Sequence, residues 1–162
     1  MKKIKLTQGY EALVDDEDFE RINKNKWCSA VYKGKNRVDA MRRESNKVLR
    51  MHREILGITN PKVFIDHINH NALDNRKDNL RVCDIGQNNR NRRKQAGTSK
   101  YKGVYKKDDC NRWAAQITHN KKTYYIGLFK SEKEASMAYD KSSRELHKQF
   151  GYTNKEVITI NK

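Results

Sequence analysis

Proline is nearly absent: Pro61 is the only one in 162 residues, and with 8 glycines the chain is neither collagen-like nor a proline-rich linker. Cysteine is scarce too. Cys28, Cys83 and Cys110 have no cysteine or histidine partner at the spacing of a zinc knuckle, so they read as reduced thiols and no structural zinc is expected. Long apolar runs are missing; only 35% of residues are apolar and mean hydropathy is −1.11. That excludes a membrane-spanning helix. The opening "MKKIKLTQGYEALVDDEDF" lacks the apolar stretch of an export signal, so the expectation is a soluble, cytoplasmic protein without a membrane partner. Acid is short as well: 36 lysines and arginines face 20 aspartates and glutamates, for a formal charge of +16. The excess is spread over the chain, +5 in residues 1–60, +4 in 61–98 and +7 in 99–162. A polyanion partner, most simply nucleic acid, follows from that balance.

The sequence divides into three pieces. Residues 1–60 mix short β-like runs, "EALVD" and "RVDAMRR", with a turn at "ESNK" and an apolar "VLRMHREILGI" that reads as a strand running into a short helix. The second piece, 61–94, reads as strand ("KVFI"), loop, strand ("NLRVCD") and a helix over "IGQNNRNRRK" with Asp84 as N-cap. "QAGTSK", 95–100, has linker composition, and 155–162 is a tail. The third piece, 101–154, predicts three strands, "YKGVYKK", "RWAAQITH" and "TYYIGLF", the last two joined by a turn at "NK". Alternation puts Trp113, Ala115 and Ile117 on one face of the middle strand and Arg112, Ala114, Gln116 and Thr118 on the other. In the next strand Tyr124, Ile126 and Leu128 alternate with Thr123, Tyr125 and Gly127. A helix follows, opened by a Ser131/Glu134 capping box, with Ala135, Ala138, Tyr139, Ser142 and Leu146 as its packing stripe. The polar sheet face is left for a partner.

Between the strands of the second piece lies "IDHINHNALDNRKDNL", 65–80, in which little is apolar. An imidazole can take a proton from water near neutral pH, and a neighbouring carboxylate can hold a hard divalent cation. Asp66 and His67, adjacent on a strand, point to opposite sides and need not compete for one atom. Asn88, on the predicted helix, is the candidate second oxygen ligand. Most of the other loop residues, Asn69, Asn71, Asp74 and Asn75, read as shaping the backbone. His52, on an apolar segment, reads as a packed histidine. Arg76 and Arg81 have two readings, pairing with Asp74 or Asp78, or gripping phosphate.

With "IDHINHNALDNR", "NLR" and "QNNRN" in that order, residues 61–94 resemble the HNH nuclease family, in the variant of phage and group I intron homing endonucleases. The resemblance implies His67 as general base, Asp66 and Asn88 as metal ligands and Asn79 as the residue that braces the loop. Asn88 stands where the family name has histidine, which suits Mg²⁺ or Mn²⁺ over softer metals. Residues 99–154, through "SKYKGVYKK", "RWAAQI", "YYIGLF" and "EKEASMAYDKSS", resemble the apetala-two/ethylene-response-factor DNA-binding domain. That resemblance implies a sheet lying in the major groove, with Lys102, Tyr105, Lys107, Arg112, Gln116, Thr118, Thr123 and Tyr125 facing DNA. Arg90 and Arg92 in the basic run join Arg76 and Arg81 as expected DNA contacts.

The expected fold class is therefore α+β: a ββα-metal nuclease unit, then a three-stranded antiparallel sheet packed on one helix. The expected function is metal-dependent hydrolysis of double-stranded DNA by a chain that is monomeric on DNA and nicks one strand. The alternative is a DNA-binding regulator with an inactive nuclease unit; an RNA partner fits less well, because the A-form major groove is narrow.

Overall fold

The computed structural model describes residues 1–34, 37–94 and 97–154. They form two compact units, Met1–Asp84 and Ile85–Lys162. The architecture is mixed α and β, built from small antiparallel sheets and four α-helices among the described residues. No helix among them is long and apolar enough to cross a membrane.

In the first unit β1 (Lys2–Lys5) pairs antiparallel with β2 (Glu11–Val14), where Ala12 and Val14 point inward and Glu11 outward. Helix α1 (Asp16–Asn23) follows, with Asp16, Glu17 and Asp18 in its first turn and Arg21 in its last, matching the helix dipole. The sequence reading did not foresee this helix. Its dense acidic start masks the two residues, Phe19 and Ile22, that face the core. Strands β3 (Cys28–Tyr32), β4 (Arg37–Glu44) and β5 (Lys47–Arg50) make a second sheet with β4 central. Ser45 and Asn46 join β4 to β5 with φ of 45° and 65°, the left-handed pair that a two-residue hairpin needs. Chain 47–55 runs from β5 into α2 (Met51–Ile55), the expected strand-into-helix. Last come β6 (Phe64–His67) and β7 (Leu80–Cys83), paired so that Asp66 faces Arg81 and His67 faces Leu80. One core serves all of this: Ile4, Val14, Ile22, Trp27 and Met51 from the amino-terminal part pack with Leu80 of β7.

The second unit begins with α3 (Ile85–Asn91). Its sheet runs β10–β9–β8, from β8 (Val104–Lys107), β9 (Arg112–His119) and β10 (Lys122–Phe129). Asn120 and Lys121 make the β9–β10 turn with φ of 51° and 64°. Helix α4 (Glu132–His147) carries the expected capping box, Ser131 with Glu134. Tyr101, Val104, Ala115 and Ala135 form the core between sheet and helix.

Two expectations are corrected here. A register shift between Tyr125 and Gly127 sets Gly127 opposite Ala115 and Leu128 opposite Ala114, so Leu128 leaves the face of Tyr124 and Phe129 joins that of Trp113. The buried stripe of α4 is Ala135, Ser136, Tyr139, Asp140, Ser143 and His147, while Leu146 is exposed. The rotation has a polar cause. The Ser143 hydroxyl donates to the Tyr152 carbonyl at 2.8 Å, and the Asn154 amide donates to Asp140 at 2.7 Å, so the segment after α4 folds back over that stripe.

Candidate functional site

Asp66 and His67 end strand β6, and both are buried. The loop that follows is held from two directions. The Asn79 side chain accepts from the Asn69 N–H at 3.0 Å and donates to the Asp74 carbonyl at 2.7 Å, spanning the loop from one end to the other. Strand β2 grips it from outside: the Leu13 N–H donates to Leu73 and the Leu13 carbonyl accepts from Asn75, each at 2.8 Å. Asn69, Asn71 and Asp74 accept from or donate to the loop itself, as short polar side chains in turns do.

His67 Nε2 lies 3.4 Å from Asn75 Oδ1, and its ring meets that of His52 edge to face, with centroids 5.1 Å apart at 89°. Burial lowers the pKa of His67, and it pushes His52 down to about 3, helped by the neighbouring His67. Both imidazoles are therefore neutral at pH 7, and a neutral imidazole keeps a nitrogen lone pair for a proton. Behind them Asp39, 1% exposed, accepts from Arg37 and from Arg50, each at 2.6 Å. On sequence alone His52 reads as a packed histidine and Asn75 as a loop residue. Neither carried a signal of its place beside His67, because both reach it through tertiary contact.

Arg76 and Arg81, expected at DNA, are both in ion pairs. Arg76 pairs with Asp74 at 2.6 Å, and its guanidinium holds the Asp74 carboxyl below the usual carboxylate range. Arg81 pairs with Asp66 at 2.7 Å, the partner its cross-strand register dictates, rather than with Asp74 or Asp78. Asn88 lies on α3, in the second unit, and is half-buried. Among the described residues no three His, Cys, Asp or Glu side chains are grouped to hold a metal ion. The donors at hand are hard oxygens, Asp66 above all, and they fit an ion such as Mg²⁺, which is commonly held by one or two carboxylates with water and phosphate completing its shell.

In the second unit the outward face of the sheet carries Arg112, Gln116 and Thr118 from β9 and Thr123 and Tyr125 from β10, all exposed. Thr118 and Thr123 sit opposite each other with hydroxyl oxygens 3.1 Å apart, as do Gln116 and Tyr125 in register. Tyr105 is half-buried, and Lys107 is paired with Asp109 at 3.2 Å. Arg90 donates to the Asn120 side chain at 3.1 Å, Arg92 is exposed, and the Lys102 ammonium donates to two carbonyls of the chain.

Two kinds of protein resemble the chain, one named as an HNH endonuclease and the other as an APETALA2-like protein. An uncharacterized HNH endonuclease of Acanthamoeba polyphaga mimivirus is 33% identical over 93 residues, which is 57% of this chain and 48% of that protein. APETALA2-like protein 2 of rice, Oryza sativa subsp. indica and subsp. japonica, is 37% identical over 67 residues, 40% of this chain and 15% of that protein. The chain thus spans about half the length of the first relative and a small part of the others. No family model matches it. No solved structure does either.

Proposed function

We propose that the chain is a metal-dependent HNH-type endonuclease that hydrolyses phosphodiester bonds in double-stranded DNA, with its carboxy-terminal sheet meeting the DNA. The observation that supports this most is His67: a buried, neutral imidazole at a strand end, with Asp66 beside it and a loop braced by Asn79 below. His67 takes the proton of the attacking water as the water oxygen bonds to phosphorus and the bond to the 3′ oxygen breaks. Asp66 would hold Mg²⁺ or Mn²⁺. Such an ion stabilises charge on the phosphate and on the leaving oxygen. Asn79 acts on the loop and Asn75 on the His67 ring. The chain's likeness to a protein named as an HNH endonuclease and to APETALA2-like proteins supports a cutter joined to a reader. With one such unit per chain, the product is a nick, made by a monomer on DNA. The setting is that of a mobile element, and the compartment is the cytoplasm.

A second reading is a DNA-binding regulator without cutting activity. The Arg81 pair with Asp66 favours it, since a carboxylate already bound to a guanidinium must exchange that partner for a metal.

Supercoiled plasmid incubated with wild type and with His67→Ala, each with Mg²⁺, Mn²⁺ or chelator, separates the two. Metal-dependent open circles from wild type, lost in the variant by a factor of about 100 or more, are expected for a missing general base. Intact plasmid under every metal, alongside salt-sensitive binding, selects the regulator.

A further inference from the structure

Near the end of α3 the chain turns through Arg92, Arg93 and Lys94, and all three line a cleft of about 520 Å³ within the second unit. Tyr105 and Gln116, both at positions expected to face DNA, line the same cleft, and among the described residues no carboxylate does. Three cations elsewhere in the chain that were expected at DNA are in ion pairs, Arg76 with Asp74, Arg81 with Asp66 and Lys107 with Asp109, while Arg112 is exposed on the sheet. Arg92 and Arg93 are exposed and make no ion pair with a described carboxylate.

Lys102 holds this arm. Its ammonium donates to the Arg90 carbonyl at 2.6 Å and to the Arg92 carbonyl at 2.7 Å, closing the end of α3 where backbone acceptors have no helical partner. Its own backbone is fixed in turn. Asn154, fully buried, accepts from the Lys102 N–H at 2.8 Å and donates to its carbonyl at 3.1 Å, while the Tyr152 ring lies 5.2 Å from the ammonium. Burial, with Arg92 nearby, lowers the Lys102 pKa to about 8, which agrees with an amine turned into the protein.

We propose that Lys102 is a clip rather than a DNA contact: it fastens the arm Arg92–Lys94 beside the sheet, and the cleft so formed grips the sugar-phosphate backbone of the duplex that the sheet meets. Successive cations suit a repeating anion. Guanidinium forks match phosphate oxygens in pairs, and the tyrosine hydroxyl and glutamine amide supply neutral hydrogen bonds to the backbone. The proposal rests on the DNA-binding reading above. It adds the arm Arg92–Lys94, which precedes the segment resembling the plant domain, to the surface that meets the backbone.

The test is duplex affinity against salt for the full chain, in wild type, Arg92→Gln/Arg93→Gln, Lys102→Met and the triple variant. Each lost phosphate contact flattens the plot of log affinity against log salt by about 1, equally for unrelated sequences. The double variant is expected to flatten by about 2, because the Lys94 ammonium donates to the Gly97 carbonyl at 3.3 Å and is not counted as a phosphate contact. Lys102→Met is expected to flatten similarly, although it removes no contact itself, and the triple variant to match the double. A triple variant flatter than the double by a further step of about 1 would make Lys102 a phosphate contact and end the clip. An unchanged slope in the double variant, which alters only exposed side chains and so tests the cleft even if Lys102→Met misfolds, would end the cleft while leaving DNA binding intact. Wild type without salt-dependent duplex binding would instead overturn the DNA-binding reading.

Discussion

Gly103 is where a single methyl group meets the most resistance. Its φ is +74°, and an added Cβ would lie 2.1 Å from Tyr139 Cδ2 and 2.6 Å from the Gln116 carbonyl oxygen. Gly103 also accepts the Gln116 N–H at 2.8 Å, so the backbone cannot move away without losing that bond. Left-handed strain costs about 1–2 kcal/mol and overpacking about 1–3 kcal/mol more. Gly103→Ala is therefore expected to destabilise the second unit by roughly 2–5 kcal/mol, read as a lower denaturant midpoint; an unchanged midpoint would mean that Tyr139 has another place to go. The same glycine explains why β8 starts at Val104 although the β-like pattern begins at Tyr101. At the first site the adjacent pair Asp66 and His67 could be read directly from the sequence, because their chemistry is written in neighbouring letters. His52 could not: a histidine in an apolar segment looks the same whether it packs against a leucine or against another imidazole.

Among the elements, α4 was the most legible, because its start is encoded twice. Ser131 accepts from the Glu134 N–H at 3.1 Å, while Glu134 accepts from the Ser131 N–H at 3.2 Å. Ser131→Ala removes one of these bonds at a solvent-accessible site, which costs about 1 kcal/mol. For a unit of this size the melting point should drop by about 4–8 °C. A drop shared equally by Glu134→Ala supports the reciprocal box, and no drop in either variant refutes it. The helix's packing face was less legible, since small and polar residues flank both candidate stripes and the choice is made by the returning segment at Tyr152 and Asn154. The bulge in β10 was hidden for a similar reason: alternation in sequence continues through Ile126, and only the pairing with β9 shows the slip. Helix α3 reads from sequence as the end of the nuclease piece. In the fold, bonds from Lys102 and Tyr152 to its terminal carbonyls tie it to the sheet module, and no local pattern announces such bonds.

Across the whole molecule, two cores with one tryptophan each allow stability to be followed unit by unit: Trp27 is buried in the first, and Trp113 packs against the second. Acid should weaken both. His52, facing His67, Asp39, Arg37 and Arg50, has a folded pKa of about 3, whereas the unfolded chain returns it to about 6.5. Below pH 6.5 the unfolded state binds the extra proton, so stability is full above that pH and falls as pH drops toward 3. By pH 5 the loss from His52 alone is about 2 kcal/mol, at about 1.4 kcal/mol per pH unit. His147 in the second unit, its pKa lowered first by burial, adds a loss of the same sign there. The carboxylates held low by their partners, Asp18 and Asp74, act in the opposite range: their contribution is present above their unfolded values near 4 and fades below them, so they leave the window from pH 7 to 5 to the histidines. In a Trp113→Phe chain, Trp27 emission in denaturant should report the first unit alone. Its stability is expected to fall by at least about 2 kcal/mol between pH 7 and pH 5, and His52→Phe should remove about that much of the fall. A curve that is flat over those two units, or one that His52→Phe leaves unchanged, would mean that His52 is reached by water and charges in the folded chain.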